Sequence, residues 1–461
     1  MAAAIGIRIR GDRPRVSIAV ALLAAGQGRR MQSHQPKVLH EIAGAPLYFH
    51  ALQSTEGLEV ALTVAVTGHG EEAFRASCAE WHPTITTAYQ DRQRGTGDAL
   101  RTALAALENF AGPVLVLYGD TPLMRPATLQ AMMTGLADGS DLVVVGFEAE
   151  NPTGYGRLIT ADGQLQEIVE DADTDSVTRE ITLCNSGILC GERELLTNLL
   201  GAVGNSNAAG EYYLTDILGI ATARGRRNSV ITCAEDEAMG INTRAELARA
   251  ESIMQDRLRA RALEAGVTLV DPATVYFSHD TALAPDVLVE PHVIFGRKVS
   301  VASGATIRSF TRLDSCTIGT GAEVGPHAHI RPGSDIGAGV RVGNFVEVKA
   351  SRMAAGTKAN HLSYIGDSDI GKNVNIGAGS VTCNYDGKAK HRTRIGEKVF
   401  IGSGSMLVAP VEIGEGAMTA AGSVITEDVP AHSRAFGRAR QTNKPGAGPK
   451  GVQAARHKEE T

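Results

Sequence analysis

The sequence predicts an α/β domain joined by a helix to a parallel β-helix. Three observations carry this. Short apolar runs alternate with helical stretches before residue 242. One amphipathic helix follows, and beyond it a branched or small residue recurs every six positions. A chain of 461 residues is also too long for one comfortable hydrophobic core. The expected divisions are an N-terminal extension (1–15), an α/β domain (16–242), a linker helix (243–265), a β-helix (266–442) and a disordered basic tail (443–461).

Strand-like runs are Ser17–Leu23, Ala61–Thr67, Val114–Tyr118, Leu142–Phe147 and Ile188–Cys190, with helical stretches such as Ala99–Leu107 and Ala127–Leu136 between several of them. Strands that are apolar on both sides imply a sheet covered on both faces. Functional loops should leave the C-terminal strand ends, and the segments at Gly26, Gly119 and Gly154 are candidates. Thr243 and Glu246 have capping-box spacing. Leu247, Ala250, Met254 and Leu258 then mark one helix face, and Gly266 is a plausible stop.

In the second half, Ile318, Val324, Ile330, Ile336, Val342 and Val348 are six apart. Ile370, Ile376 and Thr382 form a second set, and Ile395, Ile401, Leu407, Ile413, Thr419 and Ile425 a third. Val287, Val293, Val299 and Ala305 read as a weaker earlier set in the same phase. Glycines such as Gly319, Gly377 and Gly402 follow these positions, and they are expected to permit the turn between faces. This placement explains a glycine count of 52, about 11% against a usual ~7%. Between Thr382 and Ile395 lie 13 positions where two repeats would take 12, so Cys383–Lys388 is expected as an insertion on one face.

A charged content of 21% and a formal net charge of -6 disfavour disorder and a chain-wide nucleic-acid surface. The six cysteines contain no CxxC pair, which excludes a disulfide scaffold or thiolate zinc site. Arg8–Arg15 before the apolar run Val16–Ala25 imitates a secretory leader, but that run flows into a glycine turn that suits a buried strand. No apolar stretch reaches 18 residues. The expectation is a cytosolic protein without membrane or nucleic-acid partners.

Leu23-Ala24-Ala25-Gly26-Gln27-Gly28-Arg29-Arg30-Met31 puts two glycines and two arginines just after the first strand. Backbone N–H groups in such a turn can cradle phosphate, with Arg and Lys as counter-charges. The turn lacks Walker or dinucleotide spacing, and a plain turn is the alternative. Lys37 in Pro36-Lys37-Val38-Leu39 and Asp120 after an apolar strand strengthen the case, since Asp120 could place a divalent cation on phosphate oxygens. A turn or helix cap is the bland reading of Asp120.

These residues resemble the family of bifunctional bacterial N-acetylglucosamine-1-phosphate uridylyltransferases / glucosamine-1-phosphate N-acetyltransferases, over about residues 16 to 442. The resemblance implies a Rossmann-like nucleotidyltransferase domain and a left-handed β-helix of hexapeptide repeats. It implies UTP phosphate contacts at Leu23, Ala24, Ala25, Gly26, Arg30 and Lys37, and uracil contacts at Gln90, Gly95 and Thr96. It assigns Mg2+ to Asp120 and Asn242, and the sugar of N-acetylglucosamine 1-phosphate to Gly154, Glu170 and Asn185. The chain departs from the family pattern at Gln27 and Arg29, and at Asp98, where His is usual. Asp98 has no assigned role.

The β-helix half carries Arg331, Lys349, His361, Tyr364, Asn375, Asn384, Tyr385 and Lys390, a mixture that solvent decoration alone need not present. The bland reading makes His361 an exposed polar residue and Asn375 part of an Asn ladder. His361 is expected in a loop between regular repeats. The resemblance implies that His361 is the general base for acetyl transfer, and that Arg331, Lys349, Tyr364, Asn375 and Lys390 hold glucosamine 1-phosphate. It implies acetyl-CoA contacts at Ala378, Asn384, Tyr385, Ser403, Ala421 and Arg438, and a homotrimer. An imidazole can take the amine proton as the amine attacks the thioester. Backbone or Asn donors would stabilise the oxyanion, and no acyl-cysteine at Cys383 is required. Two rivals remain: a pyrophosphorylase whose β-helix only assembles or regulates it, and a noncatalytic protein retaining both folds.

Overall fold

The computed structural model describes residues 17–26, 28–207 and 209–445. The 1–15 extension, Gln27 and the tail beyond 445 lie outside the described residues. The chain forms two compact units, Met1–Leu258 and Arg259–Thr461.

Unit one is a nine-stranded mixed sheet. Its strands are β1 (Ile18–Leu23), β2 (Val60–Thr67), β3 (Thr86–Tyr89), β4 (Pro113–Tyr118), β5 (Leu142–Glu148), β6 (Arg157–Ala161), β7 (Gln164–Val169), β8 (Leu183–Glu192) and β9 (Asn228–Cys233). The path runs β9-β5-β8-β4-β1-β2-β3, with the β6–β7 hairpin attached to β8. β8 alone is antiparallel to its path neighbours β4 and β5. Every residue of β1 is buried, and its alternate side chains feed two separate cores. Ala19 and Ala21 join one, and Val20 and Leu22 the other. The two-sided cover inferred from composition is therefore present. The helices are α1 (Leu47–Gln53), α2 (Glu71–Trp81), α3 (Thr96–Ala106), α4 (Pro126–Ala137), α5 (Arg193–Leu200), α6 (Asp216–Ala223) and α7 (Arg244–Glu264).

The capping box of α7 forms: the Thr243 amide donates to Glu246 Oε2 at 2.8 Å, and the Glu246 amide to Thr243 Oγ1 at 3.2 Å. At the other end Gly266 takes φ 83° and closes the helix. The boundary between the units falls inside this helix.

Unit two is a three-faced parallel β-helix of short strands in sheets of ten, eight and eight. The expected repeat is present, with four corrections. First, each face buries two residues, where the six-residue period in the sequence marks only one. The set Val287, Val293, Val299 and Ala305 is the first of the two, and Val289, Phe295, Val301 and Ile307 are equal or larger partners two positions later. The two sets therefore have different phases. Second, the breaks in the six-residue period are five-residue steps, as from Leu313 to Ile318 and from Val348 to Met353. The coils around His361 continue through Met353, Ala359 and Ile365, all buried. His361 thus ends a strand (Lys358–His361) and is not on an inserted loop. Third, Val381–Cys383 and Thr393–Ile395 occupy successive faces, so the intervening segment adds seven residues to one six-residue step.

Fourth, the glycines after the inward positions are needed for stacking, not for turning. A Cβ on Gly402 would sit 2.5 Å from the Thr419 carbonyl oxygen and 2.6 Å from the Ala421 nitrogen of the next coil. Left-handed turn positions are occupied instead by a different set of glycines, such as Gly304, Gly379 and Gly404, and about as often by non-glycine residues, including Phe310, His327 and Phe345. Gly402→Ala is therefore expected to cost about 1–3 kcal/mol by overpacking against backbone. Gly204→Ala, whose Cβ meets nothing within 4 Å, should be neutral. Equal thermal midpoints for both variants would contradict the stacking account.

All six cysteines are free. No helix among the described residues is long and apolar enough to cross a membrane.

Candidate functional site

The path places β1 between β4 and β2, so the chain first runs outward from β1 through β2 and β3 and then crosses back to β4 on the other side of β1. Open α/β sheets leave a crevice at such a reversal, beyond the C-terminal strand ends. Here it is a cleft of about 280 Å3. β1 supplies Leu23 and the turn residues Ala24, Ala25 and Gly26, and β4 leads to Asp120. Gln90 follows β3, and Gly95 and Thr96 begin α3 on the same cleft. Arg30 stands exposed on the adjoining turn.

Lys37 is buried and joins three separated segments. Its Nζ pairs with the Asp120 carboxylate and donates to Asn242 Oδ1 at 2.9 Å. The Ile241 amide donates to the Asp120 carbonyl at 2.9 Å, which docks the 241–242 segment beside β4. Gly28 (φ 59°) is required here, because its Cβ would meet Lys37 Cβ at 2.7 Å. Glu246 reaches one residue past the capping box and accepts from the Asn242 amide at 2.6 Å. The helix start thus fixes the backbone that presents Asn242. Glu246→Ala is expected to raise the divalent-metal concentration that half-saturates the unit-one reaction several-fold. Unchanged metal dependence would show that Asn242 is held by other means.

Asp120 and Asn242 direct two hard oxygens at one cation, the Lys37 ammonium. No group of three or more His, Cys, Asp or Glu suited to a metal occurs among the described residues. One carboxylate and one amide oxygen nevertheless suit Mg2+, which takes much of its shell from water and substrate phosphate.

The remaining predicted sugar residues gather around Gly156. The Asn185 amide donates to the Gly156 carbonyl at 2.8 Å, and a Gly156 Cβ would lie 3.4 Å from Glu170 Oε2. Gly154 has φ 87° and no atom within 4 Å of an added Cβ, so its backbone is open to a ligand. Burial raises the Glu170 carboxyl above its ordinary pKa, against a hydrogen bond from Thr215 at 2.8 Å. Tyr118 lies between the groups: burial together with the Glu170 and Asp120 charges raises its pKa. Sequence reasoning missed Tyr118, although it directly precedes Gly119-Asp120. It also missed Gln93, whose amide donates to the Ala25 carbonyl across the cleft.

In unit two, Asn344 and His361 are paired neighbours on adjacent strands. His361 Nδ1 lies 2.9 Å from Asn344 Oδ1. With that carbonyl oxygen as acceptor, Nδ1 carries the proton and Nε2 keeps a lone pair toward solvent. At the far end of the next face, Arg331 pairs with Glu347 at 2.6 Å and Lys349 with Asp367 at 3.6 Å. Asp367 also accepts from Asn384 Nδ2, which reaches the Tyr364 hydroxyl at 3.4 Å. Both Asn384 amide donors are thereby used, so this side chain braces the site and is no free oxyanion donor.

The insertion is a closed hairpin. Asp386 accepts from the Lys388 and Ala389 amides and from His391, which together hold it well below the usual carboxylate range. The hairpin exposes Tyr385 and brings Lys390 to Lys349, whose hydrogen bond and charge lower the Lys390 pKa. Lys349, Lys390 and Arg331 form a cationic pocket fit for a phosphate.

Asn375 lies on the same sheet as His361, one coil on. Ala378, Ser403 and Ala421 follow equivalent strands of successive coils: the Gly404 amide donates to the Ala378 carbonyl at 2.7 Å and the Gly422 amide to that of Ser403 at 2.8 Å. Arg438 approaches this column, its Cδ 3.9 Å from a Cβ built on Gly422. Neither Asn344 nor Asp367, which ends the sequence segment that begins at His361, was assigned a role from the sequence.

Residues 20–184 match the MobA-like NTP transferase domain, and residues 315–350 and 392–427 match the bacterial transferase hexapeptide (six repeats). The chain is 52% identical over 441 residues to the bifunctional protein GlmU of Paracoccus denitrificans (strain Pd 1222), covering 96% of this chain and 98% of that protein. It is 52% identical to GlmU of Jannaschia sp. (strain CCS1), covering 93% and 94%, and 47% identical to that of Azorhizobium caulinodans, covering 93% and 96%.

Proposed function

The chain belongs to the bifunctional GlmU family, and on that premise we propose that it makes UDP-N-acetylglucosamine in two reactions. Residues 266–442 transfer acetyl from acetyl-CoA to glucosamine 1-phosphate. Residues 16–242 then transfer uridylyl from UTP to N-acetylglucosamine 1-phosphate, releasing pyrophosphate. Helix 243–265 joins the two. The observation that carries this reading is that each unit carries its own anion-binding and reactive groups: Lys37, Asp120 and Asn242 meet in one, and the other has the cations Arg331, Lys349 and Lys390 on the face next to His361.

In uridylyl transfer, a phosphate oxygen of the sugar phosphate attacks the α-phosphorus of UTP, and no protein nucleophile is needed. Turn 23–26 and Lys37 hold the nucleotide phosphates with Arg30 nearby, while Gln90, Gly95 and Thr96 hold the uracil. Gly154, Glu170 and Asn185 hold the sugar. Asp120 and Asn242 would hold Mg2+, which supplies charge neutralisation on the phosphate oxygens when bound. In acetyl transfer, the sugar amine attacks the thioester carbonyl, His361 Nε2 takes the amine proton, and CoA leaves as the C–S bond breaks. Arg331, Lys349, Tyr364, Asn375 and Lys390 hold the sugar phosphate. Ala378, Asn384, Tyr385, Ser403, Ala421 and Arg438 line the acetyl-CoA site.

The assembly in this reading is a homotrimer, as the family resemblance implies. In support, one β-helix edge carries stacked rings of His292, Phe310, His327 and Phe345, with centroids 4.9, 4.8 and 5.1 Å apart and both Phe exposed. A row of this kind suits burial against another subunit.

The test is to incubate the protein with glucosamine 1-phosphate, acetyl-CoA, UTP and Mg2+ and to follow free CoA and pyrophosphate. One of each should appear per UDP-N-acetylglucosamine formed. Pyrophosphate without CoA, from supplied N-acetylglucosamine 1-phosphate, would leave a pyrophosphorylase with an assembling β-helix. Neither product would leave a noncatalytic protein.

A further inference from the structure

We propose that Asp98 is a positioning residue that sets nucleobase selectivity by locking the side-chain amide of Gln90. The inference rests on the reading of the cleft as a UTP site. Gln90 is 5% exposed, and its backbone is pinned by donation to the Thr67 carbonyl at 2.8 Å. Its Nε2 donates to Asp98 Oδ2 at 3.0 Å. Asp98 stands in the first turn of α3, where the helix dipole favours a carboxylate.

A carboxylate only accepts hydrogen bonds, so the amide nitrogen must face Asp98. One Nε2–H and the Oε1 carbonyl are then left, in a fixed order, toward the cleft. An unrestrained amide can turn over and exchange these two groups. That exchange matters because pyrimidines differ in the same respect. Uracil presents a carbonyl acceptor at C4 and an N3–H donor, whereas cytosine presents an amino donor at C4 and a bare N3 acceptor. The amide face that pairs with one edge meets the other donor to donor and acceptor to acceptor. Holding Gln90 in one orientation removes the state that would accept cytosine. A site built to hydrogen-bond one edge rejects its analogue because buried polar groups are left unpaired.

The experiment measures kcat/KM for UTP and for CTP, with N-acetylglucosamine 1-phosphate and Mg2+, in the wild type, Asp98→Asn and Asp98→Ala. The amide introduced by Asp98→Asn can offer Gln90 either a donor or an acceptor, and the methyl group of Asp98→Ala offers neither. Both variants should lower the UTP:CTP ratio at least about tenfold, through a higher KM for UTP and gained use of CTP, with kcat for UTP within about twofold. The ratio is independent of the fraction of correctly folded enzyme, so partial misfolding cannot produce or hide the effect. A ratio unchanged in both variants overturns the role of Asp98. A wild type that uses no UTP overturns the nucleotide reading instead.

Discussion

His361→Ala should lower CoA release from acetyl-CoA and glucosamine 1-phosphate by about 10²–10⁴-fold, the range for loss of a positioned general base. Pyrophosphate formation from UTP and supplied N-acetylglucosamine 1-phosphate should not change. The argument begins with orientation. Asn344 Oδ1 lies 2.9 Å from His361 Nδ1 and selects the tautomer with a free Nε2. His361 is exposed, so its removal opens no core cavity and the coil should remain intact. The loss should fall mainly on kcat, because the cations that hold the sugar phosphate sit at the other end of the adjoining face. His361→Gln provides the control: it keeps a polar side chain but no base, and should be as inactive as the alanine variant. Wild-type acetyl transfer in either variant would end the general-base assignment.

The sites were legible in the sequence to different degrees. Lys37, Asp120 and Asn242 lie in separate segments, and family resemblance assigned them together. The capping box of α7 could be read from Thr243 and Glu246, but not its further reach to the Asn242 amide. That contact depends on how the chain enters the helix. In the β-helix, the six-residue period was plain while the phase was not. Small residues such as Ala305 and Ser334 fill the second inward position and carry little hydrophobic signal. Five-residue steps then made continuous coils read as breaks around His361. Asn344 and Asp367 had no role readable from the sequence because each acts through a partner on a neighbouring coil, and Asp98 stood out only as a departure because its pairing with Gln90 depends on how β3 and α3 meet. Polar pairing of this kind is set by stacking, and no local pattern records it.

Asp120→Asn should lower pyrophosphate formation at least about 10²-fold, since a bound cation supplies several kcal/mol of charge stabilisation in phosphoryl transfer. Acetyl transfer should be unaffected. The substitution also exposes a structural cost that can be separated from the chemical one. The Lys37 and Asp120 side chains are 11% and 19% exposed, so the substitution leaves Lys37 a mostly buried cation facing neutral amide oxygens and no counter-charge. An unpaired buried charge of this kind costs up to about 3 kcal/mol, reduced by the solvent that reaches the cleft. The melting midpoint of unit one should therefore fall in Asp120→Asn. Adding Lys37→Met removes the stranded ammonium and should recover much of that midpoint while activity stays lost. Recovery of pyrophosphate formation in the double variant would show that Asp120 serves only to neutralise Lys37. Stability regained without activity separates the cost of a stranded Lys37 ammonium from the loss of the groups that hold phosphate and cation, and the single Asp120→Asn variant, which keeps Lys37, reads the carboxylate itself.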